Sequence, residues 1–177
     1  MLQGLNEEKR TFISFHNLNY TNWKTYYEEY IKVVEIIAKQ HADFFVNGFS
    51  LHYLDEFLWI DETESLDLKT FFNEENDYLP KEFFNSKNTT YNLTTERIID
   101  GVKIFDRIEI IIDVSVRPSV TISHNIFRPL EKIIELKELI IEKKFEEILN
   151  SLHLHNKTIL GNLLKKDVKD LIKLTNV

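Results

Sequence analysis

The chain has 177 residues, 43% of them hydrophobic and 29% charged, with a formal net charge of −7. That length supports one domain with a real core, and the lack of cysteine excludes disulfides, thiolate metal sites and a cysteine nucleophile. With four glycines and three prolines, long regular elements are expected rather than a turn-rich β-sandwich.

In chain order, RTFISFHNL (10–18) alternates, with Phe12 and Ser14 on one face and Thr11, Ile13 and Phe15 on the other. This predicts a strand partly buried on both faces. NYTNW starts a helix that Thr21 or Asn22 caps. Its apolar line is Trp23, Tyr27, Tyr30, Val34, Ile37 and His41. Next, DFFVNGFSLHYLDEFLWID (43–61) reads as one long strand, or as two broken near Asn47–Gly48. LDLKTFF reads as a short helix capped by Ser65 or Asp67, and Pro80 interrupts the segment after it.

Asp100–Gly101 separates TTYNLTTERII from VKIFDRIEIIIDVSV, a strong hairpin signal because both residues tolerate positive φ. Ile108, Ile110, Ile112 and Val114 share one face of the second strand; Arg107, Glu109, Ile111, Asp113 and Ser115 share the other. PSVTISHNI (118–126) is a candidate third strand. From Pro129 onward the pattern is helical, with breaks expected near Lys143–Lys144 and Gly161, and KKDVKDLIKL forms a final short helix.

Three stretches carry a resemblance: YTNW (20–23), GFSLHYLDEF (48–57) and LNSLHLHNKTIL (149–160). In this order they resemble a sporadically distributed, functionally uncharacterised prokaryotic family with a Tyr-x-x-Trp helix start, a Leu-Arg-Tyr-Ile-Asn/Asp strand and a late Leu-His helix. The resemblance places Tyr20 and Trp23 at the helix start, Leu51, Tyr53 and Asp55 in the strand, and Leu152 and His153 in the late helix. His52 stands where the family has Arg, and the family's N-terminal strand has no counterpart in the pattern. The resemblance implies an α+β fold and brings no activity.

Charge is uneven. Residues 1–116 hold 11 basic and 21 acidic side chains, and residues 117–177 hold 11 and 8. The acidic excess is densest over 55–82 and includes Glu62, Glu64, Asp67, Glu74 and Glu75. Such a face repels phosphate backbones and suits a basic protein partner; its plainer explanation is a solvated surface.

Among candidate sites, Tyr53 and Asp55 share a strand face, and Arg97 and Arg107 lie on candidate neighbouring strands. A Tyr–Asp–Arg network is therefore the best pointer to a polar site on the sheet. His52 points to the opposite face from Asp55, so no direct dyad is implied. Asp106, Glu109 and Asp113 lie along one strand. Glu109 and Asp113, four apart, are roughly 13 Å from each other, too far to chelate one ion. His16, His41 and His124 have no partner at metal-ligand spacing in the sequence. His153 and His155, in SLHLHN, share a face only if the segment is a strand. On a helix, residues two apart are about 200° apart and cannot meet one ion. His155 then falls in the apolar stripe and packs, while His153 is freer.

These observations predict one α+β domain over 1–177, sheet-rich over 10–126 and helical over 128–175. A mainly antiparallel sheet of four to six strands packs against the first long helix and the C-terminal helices. No phosphate-cradling loop, dinucleotide fingerprint or nucleophile elbow is present, so no catalytic residue, metal ligand or cofactor is assigned. The expected function is a non-enzymatic protein-interaction module, such as an accessory, inhibitor or immunity protein of a bacterial defence or toxin system. One alternative is a small-ligand-binding or hydrolytic domain using Tyr53, Asp55, Arg97, Arg107 and His52 on the sheet. Another is nucleic-acid binding through Arg128, Lys132, Lys143, Lys165, Lys166 and Lys173, which the acidic balance disfavours. The N-terminus carries no signal-peptide pattern, and no apolar run reaches the roughly 18 residues of a membrane span. A cytoplasmic location is therefore expected. Homodimerisation is a further expectation, from apolar helix positions in excess of one face.

Overall fold

A computed structural model describes residues 1–7, 10–18, 20–41, 43–60, 65–115 and 117–174. The first two strands, β1 (Leu2–Glu7) and β2 (Arg10–Phe15), pair antiparallel as a separate two-stranded sheet. No strand is predicted before Arg10; β1 is held by pairing with β2 along its whole length. Phe15 docks the pair on helix α1 (Trp23–Gln40), stacking on Tyr30 with ring centroids 5.6 Å apart. Asn22 caps α1 by accepting from the Thr25 amide at 3.0 Å, which satisfies one otherwise orphaned donor. The helix buries Val34 and Ala38, while His41 at its end is exposed.

The main sheet has the order β3-β6-β5-β4 and is antiparallel throughout. It comprises β3 (Phe45–Leu58), β4 (Thr89–Ile99), β5 (Val102–Asp113) and β6 (Ser119–Glu135). The hairpin between β4 and β5 turns at Asp100 and Gly101, with φ of 51° and 78°. Those positive angles are why Asp-Gly suits the site. β3 runs unbroken past Gly48, with a register shift between Val46 and Gly48. A Cβ at Gly48 would lie 2.7 Å from the Phe127 ring, so a side chain there would require that exposed ring to shift.

β6 is longer than its sequence pattern suggests. It continues through Pro129 to Glu135, where a helix is predicted. Beyond Phe127 it pairs with β3 alone, and Pro129 sits opposite Gly48 beside the register shift. Proline's missing N–H is tolerated at such an edge position. The helical part therefore starts at α3 (Leu136–Ile141), after a short α2 (Leu68–Phe71) and a 3-10 turn (Lys81–Asn85) earlier in the chain. Lys143, with φ of 58°, breaks the chain before α4 (Lys144–Leu163), as expected. No break occurs at Gly161; Leu160 and Leu163 are buried on either side of it. That packing outweighs the ~1 kcal/mol helix cost of glycine. A short α5 (Lys166–Leu171) closes the fold.

The helices cover one sheet face, and the core there divides into two clusters. One joins α2, the 3-10 turn, the outer half of β5 (Ile108, Ile110, Ile112), the start of β6 and the end of α4. The other joins α1, Phe49, Leu51, Ile104, Ile126, α3 and the first half of α4. Leu152 and Leu163 on α4 are fully buried in different clusters. Each such side chain stabilises the docking by about 1.5–3 kcal/mol.

Candidate metal centre

Three elements cross the seam between the two core clusters, and each carries a polar residue where it does. On β5, Asp106 stands between Ile104 of one cluster and Ile108 of the other; on β6, His124 stands between Ile122 and Ile126. On α4, His155 and Asn156 fall between Leu152 and Ile159. The side chains of Asp106 and His124 are 2% and 1% exposed, and that of His155 is 10% exposed. The strand period turns Asp106 and His124 toward the helices, and α4 lowers His155 onto them.

The three groups converge. His124 Nε2 lies 3.0 Å from Asp106 Oδ1, and His155 Nε2 lies 2.9 and 3.0 Å from Oδ1 and Oδ2. One potential ligand atom from each residue lies within 4.8 Å of the other two. Burial pushes the Asp106 carboxyl pKa up, but hydrogen bonds from His124 and His155, with their charge, outweigh it and bring it down to about 2. The carboxylate is therefore ionised at neutral pH.

His124 Nδ1 lies 2.8 Å from Asn156 Oδ1. With that oxygen as acceptor, Nδ1–H donates, and the other ring nitrogen, Nε2, faces the Asp106 carboxylate. At 3.0 Å in a buried site, Nε2 and the carboxylate meet either through a shared proton, as a hydrogen bond, or through a metal ion that both would ligate. An imidazole whose second nitrogen donates to an amide or carboxylate oxygen is the usual arrangement of a metal-bound histidine. Two imidazoles and one carboxylate suit Zn²⁺ with an open fourth position, or Fe²⁺ with further open positions.

The residues expected from sequence divide between the two sheet faces. Tyr53, Asp55 and Arg97 lie on the helix-covered face, whereas His52 and Arg107 lie on the open face. The expected Tyr–Asp–Arg network does not form, because β3 neighbours β6 and not β4 or β5. Tyr53 instead pairs in register with His124, and its hydroxyl lies 2.9 Å from His153 Nδ1. Burial raises the Tyr53 pKa, and it raises that of Asp55 against the charge of His124. Arg97 reaches Asp106, with Nε 3.9 Å from Oδ2. His52 hydrogen-bonds Ser123 on the open face, 2.9 Å away. Of the acidic set, Glu62 and Glu64 lie outside the described residues. Asp67 caps α2 through the Lys69 amide, Glu74 pairs with Lys69 at 3.4 Å, and Glu75 is exposed.

The helical reading of SLHLHN holds, and the two histidines have separate partners. His155 meets Asp106 rather than only packing. His153 is not free: it stacks on Trp23 with centroids 4.3 Å apart and planes 4° apart. Trp23 in turn donates Nε1–H to Asn150 Oδ1 at 2.7 Å, so α1 and α4 are latched side by side. Burial, then the Lys157 charge, lowers the His153 pKa to about 4.

In sequence, Asp106 falls on one strand with Glu109 and Asp113. Strand alternation places Asp106 on the opposite face from both, among the isoleucines. His124 has partners after all, supplied by other elements rather than by neighbours in sequence. The available signal was the alternation itself: a carboxylate and an imidazole each stand at an apolar-face position of a β-rich run. No protein-family model matches the chain, and comparison with curated proteins and with solved structures finds no similar protein. The findings thus define an α+β protein with, among the described residues, no helix long and apolar enough to cross a membrane.

Proposed function

We propose that this is a divalent-metal-dependent domain of the small-ligand-binding or hydrolytic class, with Asp106, His124 and His155 as the metal ligands. The observation that carries the reading is the His124 Nδ1 contact with Asn156 Oδ1, which directs the other ring nitrogen at the carboxylate. The three ligands approach from two strands and one helix, so they belong to one folded unit and not to a flexible loop. A metal held by three protein groups keeps room for water or a ligand oxygen; it lowers the pKa of bound water or polarises a bound carbonyl or phosphoryl group. A cytoplasmic location is kept as part of this reading.

The test is titration of chelator-treated protein with Zn²⁺ or Co²⁺, followed by calorimetry and thermal unfolding. One ion per chain is expected, with Tm rising as binding stabilises the folded state by about 2.7 kcal/mol at a hundredfold excess over Kd. His124→Ala and Asp106→Ala should each abolish it. Equal binding by wild type and both variants would contradict the proposal.

A second reading, the protein-interaction module, is favoured by the uncovered sheet face. Leu54, Ile98, Ile111 and Phe127 are exposed there on all four strands. Capture of a partner from cell extract by wild type, lost in a Leu54→Glu, Phe127→Glu double variant, would support it. Capture unaffected by those changes would count against it.

A further inference from the structure

Resting on the metal reading above, we propose that the site takes an oxyanion, a phosphate ester or a carboxylate, that bridges the metal and Arg97. His124 on β6, Asp106 on β5 and Arg97 on β4 lie in a row across three adjacent strands, with His155 placed over Asp106 from α4. Side-chain exposure rises along that row, from 1% at His124 and 2% at Asp106 to 36% at Arg97, with His155 at 10%. Arg97, on the β4 side, is thus the group of this set that meets solvent most.

Arg97 is held in place before any ligand arrives. Its Nε donates to Thr95 Oγ1 at 3.3 Å, and its guanidinium carbon lies 4.9 Å from the centroid of the Tyr78 ring. Tyr78 is itself fixed at both backbone groups: Asn76 Oδ1 accepts from its amide at 2.8 Å, and its carbonyl accepts from the Tyr91 hydroxyl at 2.9 Å. A guanidinium has five N–H donors in a planar fork, more than these contacts use. Its 3.9 Å approach to Asp106 is also longer than a direct charge-assisted hydrogen bond.

Charge gives the second argument. Without metal, Arg97 balances Asp106. A divalent ion leaves the group two positive charges in excess, and burying unbalanced charge is costly. Among the described residues, Asp55 interacts electrostatically with His124, and Asp77 with Tyr78. Asp77 is exposed and accepts from Asn162 Nδ2 at 2.9 Å. A phosphate ester with one oxygen on the metal and another on the guanidinium would remove most of that excess and a carboxylate about half of it, and Arg recognises either geometry with two parallel donors.

The experiment uses the full chain loaded with Co²⁺, whose visible spectrum reports its ligands, titrated separately with inorganic phosphate and with acetate. A saturable spectral change with either anion is expected. The tighter anion distinguishes a phosphate ester from a carboxylate. Arg97→Gln should weaken that binding at least tenfold, and Arg97→Lys should fall between. A Co²⁺ spectrum that neither anion alters would overturn the oxyanion inference and leave the metal reading standing. Anion affinity unchanged in both Arg97 variants would do the same. Failure of the wild type to take up Co²⁺ would remove both.

Discussion

Replacing Asn156 by Leu separates the metal reading from a purely structural network. Asn156 is 4% exposed and its side-chain oxygen lies 2.8 Å from Nδ1 of His124, which is itself 1% exposed. Leucine has the same branched four-heavy-atom skeleton as asparagine, so the replacement leaves no cavity. Its main effect is to orphan a buried ring nitrogen, which costs about 1–3 kcal/mol of stability. Loss of a partner of this kind also lowers metal affinity about 10- to 100-fold. Asn156→Asp keeps an acceptor on the ring, so it should retain metal binding while Asn156→Leu loses it. Urea unfolding of the metal-free forms gives the stability change, and calorimetric titration with Zn²⁺ gives the affinity. Equal Zn²⁺ affinity in Asn156→Leu and wild type would refute the reasoning, since the amide would then have no role in directing His124.

Other consequences are local. His153 has its pKa lowered to about 4 from 6.5, so the unfolded chain binds more protons between those values. Stability is therefore fully present above about pH 6.5 and falls as pH drops toward 4. The shift corresponds to about 3 kcal/mol, reduced to about 1–2 because the ring is partly solvated. Urea midpoints at pH 7 and 4.5 should diverge for wild type more than for His153→Phe; parallel profiles would contradict this. Gly101, at φ 78° with nothing within 4 Å of an added Cβ, should cost about 1 kcal/mol on change to Ala through backbone strain alone. Lys143→Gly at φ 58° should stabilise by a few tenths to 1 kcal/mol, read from thermal unfolding. A drop in Tm would show that the Lys143 side chain has a role of its own.

Much of the fold was legible because period and turn chemistry agree locally. Asp100–Gly101 set the β4–β5 hairpin, Asn22 the start of α1, and the alternation of Ile108, Ile110 and Ile112 the buried face of β5. The failures are where pairing partners decide. β1 is a strand because β2 lies beside it, and β6 runs through Pro129 because β3 continues to Phe45 opposite Glu135. The Tyr53–Arg97 network failed for a related reason. Face and alternation were right for both residues, but strand order places β6 and β5 between their strands. The site itself was hidden by distance in sequence. Asp106, His124 and His155 are separated by 18 and 31 positions, so no local spacing joins them. Each was visible only as a polar residue out of place in an apolar pattern, a sign that a partner waits elsewhere in the fold.

The most direct test of the central claim is the X-ray absorption spectrum of the Zn²⁺-loaded protein at the zinc edge. The account predicts two imidazole nitrogens at about 2.0–2.1 Å and one carboxylate oxygen at about 2.0–2.2 Å, with a light atom completing the shell. In His155→Ala one imidazole should disappear from the spectrum. A shell of oxygens without imidazole, or one unchanged in His155→Ala, would contradict the assignment of Asp106, His124 and His155 as a metal centre.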